Sequence, residues 1–350
     1  MFTTRKHLAV LLTAVWIGPA VTWANSPPQV TNVTASQRTD GSNLVDIHYS
    51  LSDPDGDTCT VWIAASSDGG LTWTLPVMTL TGEVGAGIAP GAGKHVVWDA
   101  GANMPGFVQT VKVRVYADDG KVPTNMVLVP DGPFPYQNGQ WAHVPTFYID
   151  KYETTNSQYC SFLNDADPNG NYWVSGMEIV RTGDAGSYSY GVVPSYENYP
   201  IRYVNRYDAE AYAAWRSTQQ GATYRLPTEQ EWEKAAAWDP VEQRYYLYGF
   251  HRDSIDSTWC NYGNNVGRST PVGYYDGTGG RNDAKSYYGC YDMSGNVWEW
   301  TSGVSGSNGV LRGGAWSHTA TYCLCAGRGF SLTPSSRGSS LGFRLVLDPG

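Results

Sequence analysis

Short stretches of alternating apolar and polar residues fill the first third of the chain. Every second residue from Val45 to Leu51 is apolar or aromatic, and so is every second residue from Val111 to Val115. This spacing places side chains on one face of a β-strand. Between these stretches, the run SDGGLTWT at residues 67–74 predicts a hairpin. No helix-period run of useful length interrupts them, so the pattern predicts an all-β domain.

Short strands separated by turn residues over residues 28–119 favour a β-sandwich of roughly immunoglobulin or fibronectin type. Within it, Asp53, Asp55 and Asp57 concentrate three carboxylates in one turn. Calcium prefers several oxygen ligands and could bind there. A solvated turn is the simpler interpretation, and we favour it.

The pattern changes at residues 118–123, DDGKVP, which predict a domain boundary. Beyond it, Thr155 and Gln158 form a capping-box pattern for a first helix, and a second helix is predicted from Asp208 to Trp215. Thr228 and Glu231 predict the start of a third. From residue 249 onward no periodic segment reaches helix length. The second domain, residues 124–347, is therefore predicted to be a loop-rich α+β domain, which makes the chain multidomain.

Composition and charge exclude several classes of protein. Charged residues make up only 16% of the chain, while aromatic residues make up 13%, which is not the composition of a disordered chain. Acidic residues outnumber Lys and Arg by 32 to 23, and no basic stripe is present. A nucleic-acid partner is therefore not expected.

The first 24 residues have the composition of a secretory signal peptide. Arg5 and Lys6 precede an apolar run from Leu8 to Ile17, and small residues lead to a cleavage site near Ala24. The apolar run is shorter than the roughly 20 residues that span a bilayer, and an uncleaved anchor is the alternative. We expect an exported (periplasmic or extracellular) protein without a membrane span.

The chain has six cysteines, which is too few for a disulfide scaffold of 350 residues. Cys59 is alone in the first domain and is expected to be buried and free. Cys260 and Cys290 could pair, although the sequence does not establish connectivity.

Six motifs follow one another in the second domain. They are MVLVP at 126–130, FYIDKYETTN at 147–156, RLPTEQEWE at 225–233, GNVWEW at 295–300, LRGGAW at 311–316 and GFR at 342–344. Over residues 124–347 this series resembles the formylglycine-generating enzyme, or sulfatase-modifying factor, family. The resemblance implies a C-type-lectin-like α+β fold with little regular structure.

Two carboxylates flank a glycine-containing turn at residues 292–299, and calcium accepts such mixed carboxylate and carbonyl ligands. Family members use the positions of Asp292, Gly295, Val297 and Glu299 as calcium ligands, and all four are suitable here. A salt-linked turn is the alternative.

The resemblance also implies a second calcium site that begins at Asn261, with Tyr262 contributing its carbonyl. The remaining ligands of that site belong to a loop that is shorter in this sequence. The second calcium is therefore the weaker expectation of the two.

Enzymes of this family hold one copper(I) between two cysteines separated by four residues and use oxygen to convert a substrate cysteine to formylglycine. The second cysteine matches Cys323, but the first falls on His318, and Cys325 is near enough in sequence to substitute. The alternative is that Cys323 packs in its loop and His318 is exposed. Ala213 and Ala236 stand near positions where family members often have disulfide cysteines.

In many relatives, the segment that matches residues 317–341 is rich in asparagine. In this sequence other residues stand at those positions, and their codons differ from an asparagine codon only where that codon has adenine. Lys, Gln, Glu, Met and Trp, whose codons do not arise in this way, are absent from the segment. This resembles the variable region of retroelement-diversified proteins that display a ligand-binding surface. Ordinary drift within the family could produce the same picture. The predicted ligand-binding loop comprises Trp316, Ser317, Thr319, Thr321, Tyr322, Leu324 and Phe330.

Two functions follow from these observations. The first is a calcium-stabilised binding or display module with a degraded copper site and a protein or peptide ligand. The second is a copper- and oxygen-dependent oxidase acting on a cysteine of a sulfatase-type substrate. His318 in place of a cysteine favours the first.

Overall fold

The computed structural model describes residues 28–67, 69, 75–106, 109–329 and 331–348. The predicted signal peptide, most of the predicted hairpin at residues 67–74 and Phe330 lie outside the described residues. Within the described part of the chain, no helix is both long and apolar enough to cross a membrane.

The alternating segments of the first domain form strands. They are β1 Gln29–Gln37, β2 Leu44–Ser52, β3 Cys59–Ser66, β4 Leu80–Gly82, β5 Gly85–Ile88, β6 Gly91–Asp99 and β7 Lys112–Asp118, with a short helix α1 Ala100–Asn103 after β6. They pair as two antiparallel sheets, in the orders β1-β2-β6-β4 and β5-β3-β7.

Both sheets contribute to one apolar core. Ile47 and Leu51 of β2 and Trp98 of β6 are at most 2% exposed, and they belong to the same buried cluster as Ile63 of β3 and Val115 of β7. The period-2 alternation therefore sends one face of each strand into this core, as the sequence predicts.

Short strands make up most of the regular structure of the second domain. These strands are β8 Met126–Val129, β9 Gly132–Tyr136, β10 Gln140–Val144, β11 Phe147–Asp150, β12 Ile179–Thr182, β13 Ser189–Val192, β14 Tyr224–Arg225, β15 Trp238–Asp239, β16 Arg244–Tyr245, β17 Trp298–Ser305, β18 Asn308–Arg312, β19 Ser331–Leu332, β20 Leu341–Gly342 and β21 Val346–Leu347. The helices are α2 Asn156–Ala166, α3 Arg206–Gln220 and α4 Glu229–Ala237. Two four-stranded sheets have the orders β14-β21-β11-β8 and β19-β18-β17-β20.

Local hydrogen bonds set the helix starts. Thr155 and Thr228 each cap a helix and exchange hydrogen bonds with Gln158 and Glu231, which confirms both predicted capping boxes. The helix predicted from Asp208 begins earlier, because Asn205 caps it and Asp208 occupies the third helical position. It also continues beyond Trp215 to Gln220, so the prediction was too short at both ends.

Aromatic side chains join the helices to the sheets. The rings of Tyr159 in α2 and Tyr212 in α3 lie 5.9 Å apart between centroids, and both contact the ring of Phe343. All three side chains are at most 2% exposed.

Residues 249–297 are all described, and they form turns and isolated bridges without a helix or strand, as expected. The hairpin of β17 and β18 was not predicted, because the first residues of β17 show no alternation. Trp298, Glu299, Trp300 and Thr301 are all at most 1% exposed, so this strand is buried on both faces.

All six cysteines are buried and free. Cys59 fulfils the expectation for the first domain. Cys260 and Cys290 do not form the disulfide that the sequence allowed, and they belong to two different apolar clusters.

Candidate functional site

The C-terminal loop packs against a glycine turn at the end of β18. Gly313 and Gly314 both have positive φ, at 94° and 78°. A Cβ on Gly314 would lie 2.8 Å from Cys323 Sγ, so glycine is needed for the close approach. A 3₁₀ turn at Ala320–Cys323 then buries the Cys323 side chain completely.

The three predicted copper ligands lie in different surroundings. Cys323 belongs to an apolar cluster with Phe250 and Tyr275, whereas Cys325 packs in a second cluster around α4. His318 is partly buried, and this burial lowers the pKa of its imidazole. The donor atoms of His318, Cys323 and Cys325 do not all lie within 4.8 Å of one another. The structure therefore does not assemble them as one three-ligand site.

Cys260 was not predicted to belong to this site, but the structure brings it close to Cys323. The two side chains lie close enough to interact, belong to the same buried cluster, and are 1% and 0% exposed. Cys260 Sγ also donates to the carbonyl of Ser294 at 2.7 Å, and the Ser294 hydroxyl donates to the carbonyl of Cys323 at 2.6 Å. No local sequence signal reveals this contact, because 62 residues separate the two cysteines.

Three aromatic rings of the C-terminal loop and of β17 contact one another. The His318 ring lies 5.6 Å from the Trp298 ring and 5.5 Å from the Tyr322 ring, measured between centroids in edge-to-face geometry. Trp298 is buried, while Tyr322 is 37% exposed. The three rings therefore lead from the buried β17 strand to the surface of the loop.

A charged network lies in the same part of the core. Arg344 donates to both carboxylate oxygens of Glu299, and Trp232 Nε1 donates to the same carboxylate at 2.8 Å. Glu153 accepts from the Asn296 side chain and from the Val297 N–H. Burial, reinforced by neighbouring carboxylates, raises the pKa of Glu153 well above its usual range.

The predicted first calcium site surrounds this network. Asp292 and Gly295 both have positive φ, and Asp292 Oδ2 accepts the Gly273 N–H at 2.6 Å. Burial raises the pKa of Asp292 to about 6. The Val297 N–H donates to Glu153, and Glu299 is paired with Arg344. Calcium ligation by Asp292, Gly295, Val297 and Glu299 stays a prediction.

At the predicted second calcium site, Asn261 is 1% exposed, and its side-chain N–H donates to the carbonyl of Arg268 at 2.9 Å. Its side-chain oxygen is buried without a hydrogen-bond partner among the described residues. Tyr262 is only partly buried. This second site also stays a prediction.

Two other groups of described residues each bring three possible ligand atoms within 4.8 Å of one another. The first group is Asp53, Asp55 and Asp57, which the sequence already suggested. The second group, which was not predicted, is Asp239, Glu242 and His251. Asp53 Oδ1 accepts the backbone N–H groups of Asp55 and Asp57, and His251 Nε2 lies 2.8 Å from Asp239. Each group therefore already has internal hydrogen bonds.

The predicted ligand-binding loop combines exposed side chains with anchored positions. Ser317, Thr319, Thr321 and Tyr322 are exposed, and Trp316 and Leu324 are partly buried. Two arginines fix the segment to the helices. Arg328 makes two hydrogen bonds to Glu229 of α4, and Arg337 makes two to Asp208 of α3.

The second domain is a mostly β domain with few helices, and its C-terminal loop buries Cys323 against Cys260. Residues 114–349 match the sulfatase-modifying factor enzyme 1-like domain. The chain therefore belongs to this family, and the resemblance predicted from the six motifs is confirmed.

Similar proteins include a hercynine oxygenase and a formylglycine-generating enzyme. The chain is 32% identical over 248 residues to hercynine oxygenase of Mycolicibacterium smegmatis, covering 55% of this chain and 54% of that protein. It is 28% identical over 335 residues to formylglycine-generating enzyme of Mus musculus, covering 77% and 87%. The chain thus spans about half the length of the hercynine oxygenase.

Among solved structures, CarF is similar, with a TM-score of 0.50 and 21% identity over 66% of this chain and all of that one. This similarity supports the fold.

Proposed function

We propose that this protein is a copper- and oxygen-dependent oxidase that converts a cysteine of a sulfatase-type substrate to formylglycine. The similarity to formylglycine-generating enzyme and to an oxygenase supports this function over a purely binding role. The observation that carries the proposal is the buried thiol of Cys323 in the C-terminal loop, which lies beside the thiol of Cys260. Soft sulfur donors in this arrangement suit copper(I).

The residues of this chain would bind and shield the reacting centre. Copper(I), when bound, would supply the one-electron chemistry with oxygen that protein side chains lack. Cys323, whose side chain is 0% exposed, would hold the metal away from water. The net charge of −9 favours the approach of a cationic, arginine-containing peptide.

The test is mass spectrometry of a Cys-x-Pro-x-Arg peptide after incubation with the protein, copper(I) and oxygen. We expect the peptide cysteine to become an aldehyde, and we expect Cys323→Ser to abolish the conversion. Cys160→Ser, a substitution of a buried cysteine in α2, is the matched control and should retain it. A copper-loaded wild-type protein that leaves the peptide unchanged would contradict the proposal.

A binding or display module is the second candidate. The exposed Ser317, Thr319, Thr321 and Tyr322 alternate with anchored residues, and Ser and Tyr are well suited to adaptable contacts. An adenine-substituted copy of the coding segment and a nearby reverse-transcriptase gene would support this function. If the genomic region lacks both, diversification of the loop is excluded.

The other parts of the chain would support either function. We propose that β1–β7 form an immunoglobulin- or fibronectin-like sandwich that acts as a spacer, and that the protein is exported after cleavage near Ala24. N-terminal sequencing of the secreted protein tests the cleavage. We also propose calcium beside Asp292, because Glu153, Asp292 and Glu299 place three buried carboxylates near the buried cation Arg344.

A further inference from the structure

Two cysteines that are distant in the sequence share one buried site. Cys260 lies in the segment 249–297, which contains no helix or strand, and Cys323 ends the 3₁₀ turn of the C-terminal loop. Their side chains belong to the same buried cluster, and Ser294 bonds to both residues, through its carbonyl to Cys260 and through its hydroxyl to Cys323. One serine therefore fixes both loops at the point where the thiols meet.

Glycines make room for the two sulfur atoms. A Cβ on Gly295 would lie 2.5 Å from Cys260 Sγ, and a Cβ on Gly314 would lie 2.8 Å from Cys323 Sγ. Both glycines have positive φ, which other residues rarely adopt. Any residue larger than glycine at either position would therefore occupy space that a sulfur atom needs.

The donor atoms at this site are soft. The surrounding cluster consists of Tyr248, Phe250, Tyr275 and Ala284. Within the described residues, no His, Asp or Glu joins the two thiols to make a group of three ligand atoms. A pair of thiolates in apolar surroundings selects copper(I) over hard divalent cations.

We propose that Cys260 and Cys323 together hold copper(I), so that Cys260 supplies the second thiolate that His318 does not. This inference rests on the proposed copper-dependent function. Binding replaces two S–H bonds by two Cu–S bonds and releases two protons, and the metal remains copper(I).

Anaerobic titration of the full chain with copper(I), in competition with the chelator bicinchoninate, tests the proposal. We expect one tightly bound copper per chain and at least a 100-fold weaker affinity in Cys260→Ser and in Cys323→Ser. Cys290→Ser, a substitution of a buried cysteine in another cluster, should bind as the wild type does, and so should His318→Ala. X-ray absorption of the loaded wild-type protein should show two sulfur ligands, a readout that does not depend on the folding of any variant.

Three results would overturn the inference. The first is a Cys260→Ser variant with the copper(I) affinity of the wild type. The second is a nitrogen ligand in the absorption spectrum together with loss of copper binding in His318→Ala. The third is a Cys260–Cys323 disulfide in a protein that takes up no copper. Activity separates this inference from the proposed function. Copper-dependent peptide conversion that survives Cys260→Ser would overturn only the inference, whereas two-sulfur copper binding without conversion would overturn only the function.

Discussion

Arg344 and Glu299 form an ion pair from which water is excluded. Arg344 Nε and Nη2 donate to the two carboxylate oxygens at 2.7 and 2.8 Å, and neither side chain is exposed. Arg344 also donates to the carbonyls of Asp150, Lys151 and Tyr291. One guanidinium thus joins the start of the second domain, the loop before β17 and the C-terminal segment.

Arg344→Met should lower the free energy of unfolding by about 3–5 kcal/mol, because it leaves Glu299 buried without its cation. Lys285→Gln is the control. It removes one member of an exposed pair with Asp283 and should cost less than about 1 kcal/mol. Urea unfolding monitored by tryptophan fluorescence measures both. Equal effects would show that the buried pair does not stabilise the fold.

Gly295→Ala should destabilise the protein by about 3 kcal/mol, through the left-handed backbone and an overlap with Cys260 Sγ. Gly263→Ala provides a matched control, because Gly263 has φ of 61° and its Cβ would meet no atom within 4 Å. The control should cost only the backbone strain, about 1 kcal/mol. A difference close to zero in thermal melting would disprove the close packing at Gly295.

Thr228→Ala should lower stability by about 1 kcal/mol, because α4 loses the side-chain acceptor for the Glu231 N–H. Thr228→Ser keeps the hydroxyl and should cost much less. Chemical denaturation of the two variants measures the difference. If both behave alike, the methyl group rather than the cap accounts for the role of Thr228.

The buried thiols should resist alkylation by iodoacetamide in the folded protein at pH 8.5. Burial raises the pKa of Cys290 to about 11, so its thiolate is scarce at this pH and its sulfur is also inaccessible. Because the folded pKa lies above the unfolded value, this group stabilises the protein fully below about pH 9. That contribution is lost as the pH rises through about 11.

Mass spectrometry should therefore find Cys290 unlabelled in native protein and labelled in guanidinium. Cys290→Ala should weaken the loss of stability between pH 9 and 11. Rapid native labelling of Cys290 would contradict its burial.

Calcium should raise the melting temperature, and a chelator should lower it, because a divalent cation offsets the excess of buried carboxylates around Asp292. Asp292→Asn should remove most of the calcium dependence. Magnesium at the same concentration should stabilise less, because it accepts large mixed ligand sets poorly. A melting temperature that is indifferent to calcium in the wild type would refute this site.

Local patterns predicted the features that depend on neighbouring residues. The alternation around Ile47 and the capping boxes of Thr155 and Thr228 require contacts only a few positions apart, so the sequence displays them directly. The six motifs likewise indicated the family. The Asn205 cap was missed although it is local, because the apolar pattern after it begins only at Ala209.

The contacts that define the candidate site connect distant parts of the chain, so only the tertiary structure could decide them. Cys260 meets Cys323 across 62 intervening residues, and Glu153 meets Asn296 across more than a hundred. The sequence determined which soft and charged side chains were available and where the chain would turn. Packing decided which of them would meet, because buried polar groups must find partners wherever the fold brings one within reach.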